Sequence, residues 1–228
     1  MMVEMKSSIS QSSIPQSSMS QSSISHSPIP RLYLISDRTQ TAGRPLLDVV
    51  EQALQGGVDA VQLREKDLPA SEVFELARRL CPLCRRYGAR LLINDRIDVA
   101  LAVKADGVHL PVDSFTPADA RRLLGPAAII GASTHTLAEA RAAAAGGADF
   151  IVFGPVFDTP SKRMFGPPLG LDALSEVVRE IDVPVLAIGG VTAERGRTLR
   201  RCGARGVAGV SAILTASDPC AAAAALRA

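Results

Sequence analysis

Val58-Asp59-Ala60-Val61-Gln62-Leu63-Arg64-Glu65-Lys66-Asp67 opens as a strand and closes as a charged loop. Val58, Ala60, Val61 and Leu63 are apolar and no turn residue interrupts them, so Val58–Arg64 reads as extended. Before it, Pro45–Gln55 is helical, with Pro45 near the start and Gly56-Gly57 as the stop. After it, Ala70–Tyr87 is a long helical stretch closed by Gly88. Gln62, Arg64 and Lys66 recur every second residue, which on extended backbone puts them on one face. Two cations and an amide there suit a polyanion, Arg as a fork and Lys as a point charge. A solvated strand end with ordinary surface charge fits the same residues.

The strand–helix unit recurs along the chain. Leu32–Ser36, Arg90–Asn94, Ala105–Leu110, Ala128–Gly131, Asp149–Phe153, Pro184–Ile188 and Arg205–Val210 read as further strands. Ile97–Val103, Pro117–Leu124, Thr136–Ala145, Leu171–Glu180, Thr192–Cys202 and Asp218–Leu226 read as helices, with Thr192 a plausible N-cap and Gly203 a stop. The strands are apolar almost throughout rather than alternating, the pattern of a parallel sheet covered on both faces. Eight such units make an α/β fold, a (β/α)8 TIM barrel, with a doubly wound open sheet as the competing arrangement.

The barrel occupies residues 30–228 of the 228, a body large enough for one sizeable core. Residues 1–29 are a Ser/Gln-rich tail repeating Gln-Ser-Ser at Gln11, Gln16 and Gln21. Such a composition cannot bury enough apolar surface to offset its ordering entropy, so a disordered segment is expected. It lacks the continuous apolar run of a secretory signal and the arginines of a transit peptide. A net charge of +2 argues against a broad nucleic-acid surface, and no apolar stretch is long enough to span a membrane. Cys81-Pro82-Leu83-Cys84 has the C-x-x-C spacing, but it lies in a helical pattern without a second pair or a nearby His. Structural thiols in a reducing, cytoplasmic setting are the expectation. The sequence leaves a homo-oligomer open.

In a barrel the chemistry sits at the carboxyl ends of the strands. The polar residues that follow each strand therefore form one set: Asp37 and Arg38; Arg64 and Lys66; Asn94 and Asp95; Asp113 and Ser114; Ser133 and His135; Thr159, Ser161 and Lys162; Gly189-Gly190; and Ser211. Asp95, beside phosphate-seeking cations, suits Mg2+; it equally suits a helix N-cap. Gly189-Gly190 and Gly209-Val210-Ser211 offer backbone N–H groups to a phosphate, or simply make turns. The Gly/Pro-rich loop from Phe153 to Gly170 is long enough for a lid, and Thr159, Ser161 and Lys162 on it are donors for an anion. His135 reads as an acid or base, a cap or a surface residue, and His109 as a core or site-wall residue.

These motifs, taken in order, resemble the thiamine phosphate synthase and thiazole tautomerase superfamily. The resemblance runs from about Leu32 to Leu214 and rests on Gln62-Leu-Arg64-Glu-Lys66-Asp, Asn94-Asp95-Arg, Asp106-Gly-Val-His109-Leu and Gly131-Ala-Ser133-Thr-His135-Thr. Gly154-Pro-Val-Phe-Asp-Thr159-Pro-Ser161-Lys162, Ala187-Ile-Gly-Gly190-Val-Thr and Gly209-Val-Ser211-Ala-Ile complete it. It implies a transferase that couples a hydroxymethylpyrimidine pyrophosphate to a thiazole phosphate, by way of a pyrimidine cation. It also implies roles: Gln62 and Asn94 orient the pyrimidine, and Asp95 holds Mg2+. Arg64, Lys66 and Lys162 with Mg2+ stabilise the leaving pyrophosphate, and Ser133 contacts the reacting region. Thr159, Ser161, Gly190, Val210 and Ser211 hold phosphate oxygens.

Two positions depart from the synthase pattern. Ser114 stands where the second metal-binding Asp is expected, with Asp113 one residue early, so either Asp113 reaches the metal or the site is weakened. Asp158 adds a negative charge beside the expected phosphates. Leu110-Pro111…Ser114-Phe115 looks more like the tautomerase branch, in which a His at the place of His135 is the implied acid/base. That branch tends to lose the Gln-x-Arg-x-Lys set and the Asn-Asp pair, all of which are present here, so the synthase is expected. A tautomerase, or a barrel that binds thiazole phosphate without catalysis, are the alternatives.

Overall fold

The computed structural model describes residues 29–159, 163 and 166–228. The tail expectation, Ile29 apart, and the expected ligands Ser161 and Lys162 lie outside the described residues. Eight parallel strands close into a barrel in chain order: β1 Leu32–Ile35, β2 Ala60–Leu63, β3 Arg90–Asn94, β4 Gly107–Leu110, β5 Ile129–Thr134, β6 Phe150–Phe153, β7 Val185–Ala187 and β8 Gly206–Gly209. Leu32 against Val207 and Leu34 against Gly209 join the last strand to the first. The (β/α)8 barrel expected from the sequence is therefore the fold.

Alternation along each strand splits the apolar residues into two cores. Tyr33, Ile35, Ala60, Leu92, Ile129, Phe150, Val152, Leu186 and Ala208 pack together inside the barrel. Leu34, Val61, Leu91, Ile93, Val108, Ile130, Ile151 and Val207 belong to the larger core under the helices. Burial on both faces explains why the strands read as unbroken apolar runs.

The surrounding helices are α1 Leu46–Gln55, α2 Ala70–Arg86, α3 Ile97–Val103, α4 Pro117–Leu124, α5 Leu137–Ala145, α6 Gly170–Glu180, α7 Ala193–Arg201, α8 Ser211–Leu214 and α9 Pro219–Arg227. Thr116, Thr136, Thr192 and Asp218 cap α4, α5, α7 and α9 by accepting from the third N–H of each. Many element ends differ from expectation by a residue or two, and three differences bear on the site. The second strand spans Ala60–Leu63, leaving Arg64 and Lys66 beyond the ladder. The fifth continues past Gly131 because Ser133 and Thr134 pair with Val152 and Phe153. The four-residue α8 is too short for any periodicity to announce it.

The amino end of the barrel carries a repeated tie. Asp59, Asp106 and Asp149, each just before an even-numbered strand, accept a backbone N–H from the preceding strand: Leu32, Leu91 and Ile130, at 2.9, 2.9 and 2.7 Å. Each carboxylate also meets an arginine: Arg227, Arg90 and Arg121. Asp106→Ala leaves the Leu91 N–H without its acceptor and is expected to cost about 1–3 kcal/mol of folding stability, read from urea unfolding.

Candidate active site

Parity carries the inner face up to the carboxyl ends. Gln62 follows Ala60 on β2, Asn94 follows Leu92 on β3, and Gly131 and Ser133 follow Ile129 on β5, so all face the barrel axis. Gln62 is buried, and its Nε2 donates to the Tyr33 hydroxyl at 3.2 Å. Burial pushes the Tyr33 hydroxyl far above the usual phenol range. His109 on β4 is fully enclosed, its ring 5.7 Å from Tyr33 and 6.0 Å from Phe150, with Nε2 2.9 Å from Ser133 Oγ. Desolvation, helped by the Arg64 charge, pulls its pKa down to about 3 and keeps the ring neutral. A polar layer of Gln62, Asn94, His109 and Ser133 thus rests on an aromatic floor of Tyr33 and Phe150.

Above this layer the β1 and β2 loops are locked together by Glu65. Its buried carboxylate accepts from Ser36 Oγ at 2.6 Å and from the Arg38 backbone at 3.1 Å. Ser36 Oγ in turn accepts the Arg64 N–H at 2.8 Å, and Arg38 grips Asp67 with two bonds of 2.7 Å. The alternation seen in the sequence therefore separates two jobs. Glu65 turns inward as an anchor, while Arg64 is half-buried and Lys66 exposed. Among the described residues, no hydrogen bond or ion pair engages the Arg64 guanidinium or the Lys66 ammonium. Glu65→Ala is expected to cost about 1–3 kcal/mol in urea unfolding and to raise KM, because Ser36 and the Arg38 N–H lose their acceptor. Asp67→Asn, which touches only an exposed pair, should leave the urea-unfolding midpoint nearly unchanged.

Asp95 does not cap α3: the N-cap is Arg96, with no side-chain cap bond. Its backbone is left-handed at φ 63°, held by a bond from its own N–H to the His109 carbonyl at 2.9 Å. Its carboxylate instead receives the Ser114 hydroxyl. Asp113 is exposed, and Ser114 is the residue brought to Asp95. Among the described residues no cluster of three His, Cys, Asp or Glu side chains forms. The Asp95 carboxylate and the Ser114 hydroxyl are oxygen donors of the kind Mg2+ takes when phosphates and water complete its shell, and the neighbouring cations suit those phosphates.

His135 does not cap α5, a task done by Thr136. Its Nδ1 lies 2.5 Å from the Gly154 carbonyl, so Nδ1 carries the donating proton, and in the neutral ring Nε2 keeps a lone pair. Gly189 and Gly190 have φ of 101° and 59°, and a Cβ on them would lie 2.6 Å from Pro155 Cα and 2.7 Å from the Asp158 carbonyl. Close packing of the β6 and β7 loops therefore requires this pair. Thr159 Oγ1 is buried with no partner among the described residues. The charge added by Asp158 is matched by Arg163, which binds it at 2.5–3.2 Å and holds its carboxyl below the usual range. Val210 N-caps the short α8, and Ser211, its first residue, is exposed.

The C-x-x-C pair lies in the packed interior, as structural thiols do. Cys81 and Cys84 are buried free thiols, and burial pushes Cys84 up to about 12 and Cys81 upward as well. His109, Ser36 and Glu65 are the site components that sequence reasoning underrated. The Gly131 opposite His109 and the acid set between two cations were the available signals.

Comparison with known proteins agrees with this geometry. The chain is 48% identical over 189 residues to a thiamine-phosphate synthase of Roseiflexus castenholzii, covering 82% of each chain. It is 43% identical over 196 residues to a thiamine-phosphate synthase of Moorella thermoacetica, covering 86% of this chain and 93% of that one. The solved thiamine phosphate pyrophosphorylase of Pyrococcus furiosus superposes with a TM-score of 0.79 at 38% identity, covering 86% of this chain and 93% of the other. The thiamine monophosphate synthase family model matches residues 32–213, the span that holds the polar layer, the Glu65 lock and Asp95, and the chain belongs to that family.

Proposed function

We propose that the protein joins hydroxymethylpyrimidine pyrophosphate to thiazole phosphate, giving thiamine phosphate and pyrophosphate. The observation that carries this reading is the pair of uncommitted cations, Arg64 and Lys66, fixed by the Glu65 lock beside the inward Gln62, Asn94 and Ser133. Gln62 and Asn94 present amide groups to the pyrimidine edge over the Tyr33 floor. Arg64 and Lys66 draw the departing pyrophosphate away from the ring, stabilising charge that grows as the bond breaks. Lys162 and Ser161 are assigned to the same oxygens from the sequence. Thr159, with its unpartnered hydroxyl, and the β7 and β8 loops at Gly190, Val210 and Ser211 are assigned to phosphate groups. Asp95 and Ser114 would hold Mg2+, which when bound supplies Lewis-acid neutralisation of pyrophosphate oxygens. No described helix is long and apolar enough to cross a membrane, and the free thiols fit a cytoplasmic enzyme.

The test mixes the purified protein with both substrates, with and without Mg2+, and scores thiamine phosphate. Mg2+-dependent product is expected; no product under either condition sinks the reading. The lone pair on His135 Nε2 favours one other reading, a thiazole tautomerase. Proton exchange on the carboxylated thiazole phosphate, lost in His135→Ala, would mark that case.

A further inference from the structure

The enclosed imidazole of His109 has one ring nitrogen on Ser133 Oγ and the other, Nδ1, buried without a partner among the described residues. Gly131 stands opposite His109 in the ladder, and a Cβ there would lie 2.7 Å from Nδ1 and 2.4 Å from Phe150 Cζ. The barrel has therefore been emptied of one side chain to admit this ring. A neutral imidazole carries a single N–H. On Nδ1 that proton would be a buried donor with no acceptor, the arrangement folded proteins most avoid. On Nε2 it donates to Ser133 Oγ, and only a lone pair is left unsatisfied. Ser133 then accepts from the protein, and its own hydroxyl proton is uncommitted.

We propose that His109 is a positioning residue that fixes Ser133 as a hydrogen-bond donor to an anionic oxygen of the ligand. This rests on the proposed reaction, in which negative charge builds on the departing pyrophosphate. A Ser133 hydroxyl spent on His109 would offer that oxygen only lone pairs. Held in the opposite sense, it offers a proton that needs no reorientation as the charge develops.

The first experiment reads the tautomer without substrate. Long-range proton–nitrogen NMR of the full chain with labelled histidine should show His109 protonated at Nε2 and bare at Nδ1 at neutral pH. The reverse tautomer overturns the proposal. The second is a kinetic cycle. His109→Leu is expected to lower kcat and kcat/KM together, by about tenfold. His109→Gln, which keeps an N–H near the Nε2 position, should recover most of the loss. In a Ser133→Ala background His109→Leu should add little; an undiminished loss there would show that His109 acts independently of Ser133 and overturns the proposal. An Nε2-protonated ring in a protein that makes no thiamine phosphate would sink the proposed reaction and leave the assignment of His109 standing.

Discussion

Arg64→Ala is expected to lower kcat/KM for the pyrimidine pyrophosphate by about 10²–10³-fold while leaving folding stability within about 0.5 kcal/mol of the parent. The two halves of this result have separate causes. The Arg64 backbone is held by Ser36 and, through it, by Glu65, so the loop keeps its place when the side chain is cut. The guanidinium itself is engaged by no described partner, so little native structure depends on it. Its charge reaches the site: it adds to the burial that lowers the pKa of His109, and, behind the hydrogen bonds from Thr39 and Gln40 that outweigh burial, it adds to the lowering of Asp37. Arg64→Lys should fall between the two, keeping the charge but losing the fork that spans two phosphate oxygens. Steady-state kinetics on the three proteins, with thermal unfolding as the control, separates these outcomes. An alanine variant with unaltered kcat/KM would return Arg64 to ordinary surface charge.

The contrast between Arg64 and Glu65 shows what the sequence could and could not tell. Eight apolar runs spaced by capped helices were enough for the barrel, because burial on both sheet faces leaves a signature no surface strand has. The same signature hides parity. In Gly107-Val-His-Leu nothing says which residue faces the axis, so the role of His109 waited for its contacts with Tyr33, Phe150 and Ser133. Strand β5 was cut short because Ser133 and Thr134 are polar, although their backbone groups stay in the ladder. Asp95 was ambiguous between cap and ligand because its partner, Ser114, is 19 residues away on the next loop. Local chemistry was legible; pairings across strands were not. The three aspartates at the amino end make the same point: Asp59 and Asp149 follow Gly-Gly helix stops and Asp106 follows the short helical run to Val103, but the N–H each accepts lies on the preceding strand.

The second large effect is on stability against pH, and it follows from the same enclosed histidine. His109 has an ordinary value of 6.5 that burial lowers to about 3, with the like charge of Arg64 acting in the same direction. Its described neighbours, Asn94 from β3, Tyr33 from β1, Gly131 and Ser133 from β5 and Phe150 from β6, carry no charge to offset a proton on the ring. Above pH 6.5 the ring is neutral in both the folded and unfolded chain and contributes nothing to the pH dependence. Between 6.5 and about 3 the unfolded chain binds a proton that the folded barrel refuses, so stability falls as pH falls through that window. The slope is about 1.4 kcal/mol per pH unit, and the accumulated loss approaches roughly 4–5 kcal/mol at the acid end. Lowered carboxylates such as Asp98 and Asp119 also destabilise the fold in acid, but they are common to wild type and variant. The quantity to measure is therefore the difference in urea-unfolding free energy between wild type and His109→Gln, from about pH 7 to about pH 4. It should move steadily against the wild type as the pH drops. A difference that stays constant would mean that the ring takes up its proton inside the fold, and the closed aromatic floor beneath the site would have to be open to water.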